Sequence, residues 1–218
     1  MHSFATTQMR LLSKEPVPTI LVDEGDRLRA EYEAAQSSGS DLPMPWRHPD
    51  IVSALERETL SKCAYCEAII ADVSYPHVEH ILPKAARPDL VVDWNNLTLA
   101  CPACNTNKGD YYRADAPLVH PYEDPVTKHI LFRGPAVFAP LESEIGERTI
   151  QRLRLMRAPL LMERMKRIDA VYQRLIRWND ANEPDKSVLA ELVKDAVDDA
   201  AEFAQCLRTF VSSLGFPL

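Results

Sequence analysis

Apolar residues recur at every third or fourth position near the C-terminal end of the chain, and this spacing predicts two long helices. The first begins near Pro159, which suits the first turn of a helix, and its apolar stripe comprises Leu161, Met165, Ile168, Tyr172 and Leu175. The second stripe comprises Leu189, Val193, Ala196, Ala200, Phe203, Leu207, Val211 and Leu214. Such stripes usually belong to a core, although an amphipathic hairpin at a chain end can equally dock a partner.

The residues before these helices predict shorter elements. Residues 23–35 have helical composition, and a second helix is predicted over residues 49–60. A short segment with β-branched residues predicts a strand around 78–81, and a second strand is predicted over 97–100. A helix or turn begins at Cys104, so the central part of the chain has the order strand, loop, strand, helix.

We therefore expect an α+β fold that is mostly helical, with one small core between helical extensions. Five prolines between residues 111 and 147 exclude a long helix there and favour an ordered loop. The expected segments are an N-terminal helical scaffold (1–60), a compact core (61–115), a proline-rich ordered loop (116–146) and C-terminal helices (147–218).

The composition is that of a soluble globular protein, with 46% hydrophobic and 26% charged residues in a chain of 218. The longest apolar runs fall far short of the roughly 18 residues that span a bilayer, and the first residues lack the pattern of a secretory signal. We therefore expect a cytoplasmic protein.

The net charge of −7 argues against a protein that coats nucleic acid unaided, because nonspecific affinity depends on Lys and Arg that neutralise phosphates. The charge is unevenly distributed, since residues 147–178 contain nine basic and three acidic side chains. This basic segment is either a solvated helix face or a surface for nucleic acid or a partner, and the sequence leaves both interpretations open.

Four cysteines form two CxxC pairs, Cys63 with Cys66 and Cys101 with Cys104. Each pair can bind one ion with Zn–S bonds of about 2.3 Å, and two pairs complete a tetrahedral structural zinc site. A single pair can also be redox-active or merely buried, but two pairs without a secretory signal favour zinc over disulfides. Cys206 lies apart on a helical apolar pattern, so we interpret it as a core thiol.

The 34 residues between the two pairs carry a Glu-His dipeptide, Glu79 and His80, and Asn105 directly follows the last cysteine. Carboxylate and amide oxygens suit a hard ion such as Mg²⁺, and an imidazole with an ordinary pKa of about 6.5 suits a general base. Together they can divide the work of phosphodiester hydrolysis. Neighbouring side chains on a strand point to opposite faces, so Glu79 and His80 share a face only where the strand ends or bulges.

These residues resemble the HNH endonucleases, which use a small ββα-metal fold. Among them the chain is most similar to the HNH nuclease subunit of Septu-type and retron-associated anti-phage defence systems. The segments that carry the resemblance are Cys63–Glu67, His77–His80, Pro83–Lys84, Asp93–Leu97 and Cys104–Asp110. They cover residues 63–110, about a quarter of the chain.

The resemblance implies a role for each matching position. His80 matches the general base that takes a proton from the attacking water. Glu79 and Asn105 match the two protein ligands of a catalytic Mg²⁺ or Mn²⁺ ion. Asn96 matches an asparagine that holds the loop orienting the base.

Three further polar residues lie in the matching segments. Lys84 and Lys108 are expected to contact the substrate phosphate. His77 occupies a position that the resembling subunits also fill, and its role stays open, since a lone histidine is more often structural.

We therefore expect a zinc-braced, metal-dependent DNA endonuclease that leaves a 5′-phosphate and a 3′-hydroxyl. The resemblance implies an ATPase partner of the ABC or SMC-like kind, and this chain itself lacks a GxxxxGK[ST] nucleotide-binding loop. The alternative is a non-catalytic zinc-braced module of the same fold that binds nucleic acid or acts as an adaptor. Such a module would not need Glu79, His80 and Asn105 together.

Overall fold

The computed structural model describes residues 12–70 and 77–218. The described chain divides into two compact units, residues 12–124 and residues 125–218. Helices predominate in it, together with two small antiparallel sheets, which confirms the expected mostly helical α+β fold. No helix among the described residues is long and apolar enough to cross a membrane.

Two helices open the unit of residues 12–124. Helix α1 spans Thr19–Ser38 and ends at Gly39, which takes the left-handed conformation with φ 69°. Helix α2 spans Pro49–Thr59 and begins with proline in its first turn, where the His48 side chain accepts a hydrogen bond from the backbone of Asp50. Both predicted N-terminal helices are confirmed. A short 3₁₀ turn between them buries Trp46.

The sheet of this unit joins β1, His77–His80, to β2, Leu97–Ala100. The strands are antiparallel, with His77 opposite Ala100 and His80 opposite Leu97. Every residue of β2 is buried, and α2 packs against this strand. Helix α3, Pro102–Lys108, follows at once, so the predicted order of strand, loop, strand and helix is confirmed.

A buried ion pair ties the segment before α1 to this core. The Lys14 ammonium lies 3.0 Å from Glu58 on α2 and 4.3 Å from the ring centres of both Trp94 and Tyr122. Glu58 also accepts hydrogen bonds from the Tyr122 hydroxyl and the backbone of Glu15. The described N-terminal residues therefore pack into the same compact unit as the sheet.

The unit of residues 125–218 begins with a hairpin that the sequence analysis did not anticipate. Strand β3, Leu131–Arg133, pairs with β4, Ala136–Phe138. Gly134, with φ 55°, lies in the connection, where its left-handed backbone permits a tight reversal. Prolines do exclude a long helix here, but short strands that flank a glycine still pair. Helix α4, Glu144–Arg152, then begins inside the segment expected to be a loop.

Three further helices follow: α5 over Ala158–Asp180, α6 over Asp185–Asp195 and α7 over Ala204–Ser213. The second predicted helix is thus wrong as one continuous element. The Asp198 side chain accepts from the backbone of Ala200 at 2.7 Å, a local turn that competes with helix. The helices still share one apolar cluster, which comprises Val171, Leu175, Val193, Val197, Leu207, Val211 and Phe216.

The predicted stripe of α5 is only partly correct. Met165 and Tyr172 are 58% and 43% exposed, whereas Arg164 is 1% exposed. The Arg164 guanidinium donates to the carbonyls of Pro135 and Leu155, which lets a charged side chain occupy the buried face. Hydrophobic periodicity could not predict this face, because its most buried member is polar.

Candidate functional site

The four cysteines of the two CxxC pairs converge on one point. Their sulfur atoms all lie within 4.8 Å of one another, and those of Cys66 and Cys101 are 3.8 Å apart. All four are free thiols, at separations far beyond the roughly 2.0 Å of a disulfide bond. A tetrahedral ion with metal–sulfur bonds of about 2.3 Å requires sulfur atoms about 3.8 Å apart. The cluster therefore has the donor set and spacing to hold a metal ion.

Local backbone structure places each pair. Around the first pair, the backbone of Cys63 donates to Ala68 and that of Ala64 donates to Leu99 of β2, both at 2.9 Å. Glu67 takes a left-handed conformation with φ 61°, which closes this turn. The second pair begins α3, where the Cys101 sulfur accepts from the backbone of Cys104. The cluster therefore links the turn before β1 to the start of α3.

Electrostatics of the cluster also favour a bound cation. Burial raises the pKa of the Cys63 thiol well above its ordinary value, so an isolated thiolate is costly at this position. Hydrogen bonding from Cys104 lowers the pKa of the Cys101 thiol. A divalent ion would offset the charge of several buried thiolates at once. Cys206 belongs to the other unit, where it is buried on α7 as expected for a core thiol.

Residues of α3 contact one face of β1. His77 and Glu79 are two residues apart on the strand and so share a face. The side-chain amide of Asn105 lies 3.1 Å from Nδ1 of His77, and the Lys108 ammonium lies 2.6 Å from Oε1 of Glu79. The structure therefore brings Glu79 and Asn105 to the same interface between β1 and α3. With its amide nitrogen donating to His77, Asn105 keeps its side-chain oxygen for another partner.

Glu79 is a buried carboxylate whose neighbour is a buried ammonium. The two side chains are 5% and 3% exposed. Burial raises the pKa of Glu79, and the charge of Lys108 acts in the opposite direction. Lys108 also donates to the carbonyl of His80 at 2.8 Å. The expected contact between Lys108 and a substrate phosphate does not fit this burial, because the ammonium faces the interior and not the solvent.

Two buried polar atoms near this interface lack a well-directed hydrogen bond among the described residues. One is Oε1 of Glu79, whose contact with Lys108 is close but poorly aligned, and the other is the hydroxyl of Tyr65. Tyr65 lies between the cysteines of the first pair, and its pKa is raised by burial and then by the charge of Glu79. Such atoms are uncommon in native proteins. The oxygen donors of Glu79 and Asn105 fit a hard divalent ion.

His80 ends β1, and its ring leaves the strand on the other side from Glu79. The ring nitrogen Nε2 lies 2.9 Å from the carbonyl of Val91. A carbonyl can only accept, so Nε2 carries the proton and Nδ1 of the neutral ring keeps a lone pair. Burial lowers the pKa of His80 to about 4, so the ring is neutral at physiological pH. It can therefore accept a proton through Nδ1.

Asn96 joins the two chain segments on either side of this histidine. Its side-chain oxygen accepts from the backbone of Leu82 at 2.8 Å, two residues after His80. Its amide donates to the carbonyls of Leu82 and Leu90, at 3.0 and 3.2 Å. Leu90 directly precedes Val91, whose carbonyl holds the His80 ring. The asparagine thus fixes both the segment that leaves His80 and the segment that orients it.

The His80 ring packs against Trp46, a contact that the sequence did not indicate. Trp46 contacts the His80 ring edge to face, with ring centres 4.9 Å apart, and contacts Tyr32 of α1 in the same way at 5.8 Å. The Lys84 ammonium also lies over the Trp46 ring, 5.6 Å from its centre. Lys84 is partly exposed, so it fits the expected phosphate contact better than Lys108 does. Nothing in the local sequence around Trp46 marks it as part of the site.

Comparison with known proteins finds relatives of the segment that holds the cysteine cluster, β1, β2 and α3. Residues 63–111 match the HNH endonuclease family. The chain is 35% identical over 120 residues to Septu protein PtuB of Bacillus thuringiensis, a match that covers 55% of this chain and 44% of that protein. It is 30% identical over 188 residues to Septu protein PtuB of Bacillus mycoides (strain KBAB4), covering 70% of this chain and 64% of that protein.

The chain therefore spans less than two thirds of the length of either relative. The match to the first relative is nevertheless longer than the HNH domain alone. We conclude that residues 63–111 match the HNH endonuclease family and that more than half of the chain is similar to proteins named Septu protein PtuB.

Proposed function

We propose that this protein is a metal-dependent HNH endonuclease that hydrolyses phosphodiester bonds in DNA. One observation carries the proposal: α3 brings Asn105 against the face of β1 that holds Glu79, and the strand ends at His80 with a neutral, base-competent ring. The turn that precedes β1 and the start of α3 are joined by the four-cysteine cluster. An ion bound to that cluster would hold the turn and α3 in fixed positions relative to each other.

Zinc is the ion we assign to Cys63, Cys66, Cys101 and Cys104. Four thiolates at tetrahedral spacing form a closed site, which is typical of structural rather than catalytic zinc. Bound zinc would hold the first turn and α3 together, and the binding free energy would contribute directly to folding. Catalysis would then depend on residues outside the cluster.

Each residue of the proposed active site has a separate task. Glu79 and Asn105 would hold Mg²⁺ or Mn²⁺ through their side-chain oxygens. Such an ion stabilises the developing negative charge on the phosphate oxygens when bound. His80 would take a proton from the attacking water through Nδ1, and Lys84 would contact the substrate phosphate. Hydrolysis in this arrangement leaves a 5′-phosphate and a 3′-hydroxyl.

Asn96 would act through His80 rather than on the substrate. Its three hydrogen bonds lie on both sides of the base, so they limit how far the ring can move. His77 supports the site differently. Its Nδ1 accepts a hydrogen bond from the Asn105 amide nitrogen, and this contact turns the Asn105 side-chain oxygen away from His77.

We further propose an assisting ATPase subunit, as the resemblance to Septu-type anti-phage defence systems implies. The net charge of −7 fits a nuclease that receives DNA from a partner. Several basic side chains of residues 147–178 are already engaged within the unit of residues 125–218, as in the pair of Arg167 with Glu202 at 2.8 Å. We place the docking surface on α5, where Met165 and Tyr172 are exposed.

Substitution is a better test of docking than truncation, because α6 and α7 supply much of the apolar cluster of their unit. The double variant Met165→Glu with Tyr172→Glu should keep its fold and zinc but lose co-purification with the partner. Glu163→Gln, an exposed change on the same helix, is the matched control. Full recovery of the complex with the double variant would contradict this docking surface.

The nuclease itself is tested with supercoiled plasmid and the purified chain, alone and co-purified with its partner. Mg²⁺ or Mn²⁺ should support nicking, EDTA should abolish it, and end labelling should find 5′-phosphates. DNA binding without cleavage in both preparations would contradict the proposal and favour the non-catalytic module.

A further inference from the structure

Lys108 contacts two consecutive residues of the proposed site through one ammonium group. It lies 2.6 Å from Oε1 of Glu79 and donates to the backbone carbonyl of His80 at 2.8 Å. It projects from the last turn of α3, and only 2% of the residue is exposed. A lysine that binds a substrate phosphate at the surface would be exposed to solvent, and Lys108 is not.

The first contact divides the two carboxylate oxygens of Glu79. Because Lys108 lies beside Oε1, an ion on this carboxylate would take Oε2. Carboxylates that bind metals are usually held by a second group, and such groups orient the ligand and tune its affinity. Without a cation beside it, a buried carboxylate would also carry a large desolvation cost.

The second contact fixes the end of β1. Lys108 donates to the backbone carbonyl of His80, the same residue whose imidazole ring is the proposed base. One ammonium therefore holds the side chain of Glu79 on one face of the strand and the backbone of His80 beside it. A shift of Lys108 would move the ligand and the base together.

We infer that Lys108 is a positioning residue that holds Glu79 through Oε1 and the His80 carbonyl, so that the carboxylate offers Oε2 to the divalent ion. This inference rests on the proposed function, because it assigns Glu79 as an ion ligand. It differs from a phosphate contact, which would require Lys108 to leave the interior.

Mn²⁺ binding to the full, zinc-loaded chain tests the inference without reference to turnover. Electron paramagnetic resonance of free Mn²⁺ would give the affinity of wild type, Lys108→Met and Lys108→Arg. Lys108→Met should bind Mn²⁺ about 10- to 100-fold more weakly while retaining zinc, and Lys108→Arg should recover part of the loss. Lys128→Met, at an exposed lysine in the other unit, should match wild type.

If Lys108→Met binds Mn²⁺ as tightly as wild type, or more tightly, the inference is overturned. Tighter binding would mean that the ammonium competes with the ion. If wild type still cleaves DNA in that case, the proposed function stands and only the role of Lys108 fails. Wild type that neither binds Mn²⁺ nor cleaves DNA, alone or with its partner, would overturn both.

Chemical labelling of wild type covers the case in which Lys108→Met does not fold. Acetylation of each lysine can be followed by mass spectrometry, with and without Mn²⁺. A positioning lysine stays beside Oε1 when the ion binds, so Lys108 should react slowly in both conditions, while exposed Lys128 reacts quickly. Faster labelling of Lys108 on adding Mn²⁺ would show displacement and overturn the inference.

Discussion

Replacement of Asn96 by alanine should damage both the stability of the fold and the placement of His80. The side chain is buried and makes three hydrogen bonds, to both backbone groups of Leu82 and to the carbonyl of Leu90. Each such bond contributes about 0.5–1.5 kcal/mol net, and the backbone groups left behind lose their partner. We therefore expect a loss of about 2–4 kcal/mol in the free energy of unfolding.

The effect on cleavage follows from the same contacts. Leu82 lies two residues after His80, and Leu90 adjoins the residue whose carbonyl holds the ring. A displacement of about 1 Å in a catalytic group can lower the rate about 100-fold, so Asn96→Ala should lose at least that much activity. Asn96→Asp keeps the shape but replaces two donations to carbonyls with a negative charge. It should be at least as damaging as alanine.

Urea unfolding and hydrogen exchange provide the assay. The Leu82 amide is protected by the Asn96 oxygen, so its exchange should accelerate in Asn96→Ala. Asn95→Ala, at the exposed neighbour in the same turn, should change stability by no more than about 0.5 kcal/mol. An Asn96→Ala protein with unchanged stability and full activity would refute the reasoning.

Three further predictions concern other residues of the unit that spans residues 12–124. Cys63→Ser should release the bound zinc and unfold the unit, and retention of one zinc per chain by elemental analysis would contradict the structural assignment. Lys14→Met should cost about 3–5 kcal/mol in urea unfolding because it leaves Glu58 buried without its cation, whereas adding Glu58→Met should restore most of the loss. The lowered pKa of His80, about 4, means that the unfolded chain binds a proton first as the pH falls, so stability is lost as the pH falls from about 6.5 towards 4. This group should contribute about 2 kcal/mol to the loss between pH 8 and pH 5, and an equal loss in His80→Ala would contradict that contribution.

Much of the central fold could be predicted from the sequence because its constraints are local. The spacing within each cysteine pair sets the geometry of a metal site, and the convergence of the pairs is confirmed. The two strands and α3 lie within about two residues of the positions predicted for them, which were 78–81, 97–100 and a start at Cys104. The roles of Glu79, His80, Asn96 and Asn105 in catalysis stay predictions.

The rest could not be predicted because it depends on contacts between distant residues. Trp46 packs on His80 across 34 positions of the chain, and Lys108 reaches Glu79 across 29. The position of a lysine in the sequence does not reveal whether its ammonium group faces solvent or a buried carboxylate. The buried face of α5 was predicted only in part for the same reason, because the hydrogen-bond partners of the buried Arg164 are backbone carbonyls from other segments.

Plasmid cleavage by matched histidine variants tests most directly whether His80 is the base of a metal-dependent nuclease. Wild type, His80→Ala and His48→Ala would be compared with Mg²⁺ and with EDTA, each after confirming zinc content. His48 is exposed and only caps α2, so its variant should cleave like wild type. Metal-dependent nicking should fall about 10²- to 10⁴-fold in His80→Ala alone. Cleavage by His80→Ala at the wild-type rate would contradict the assignment of His80 as the base.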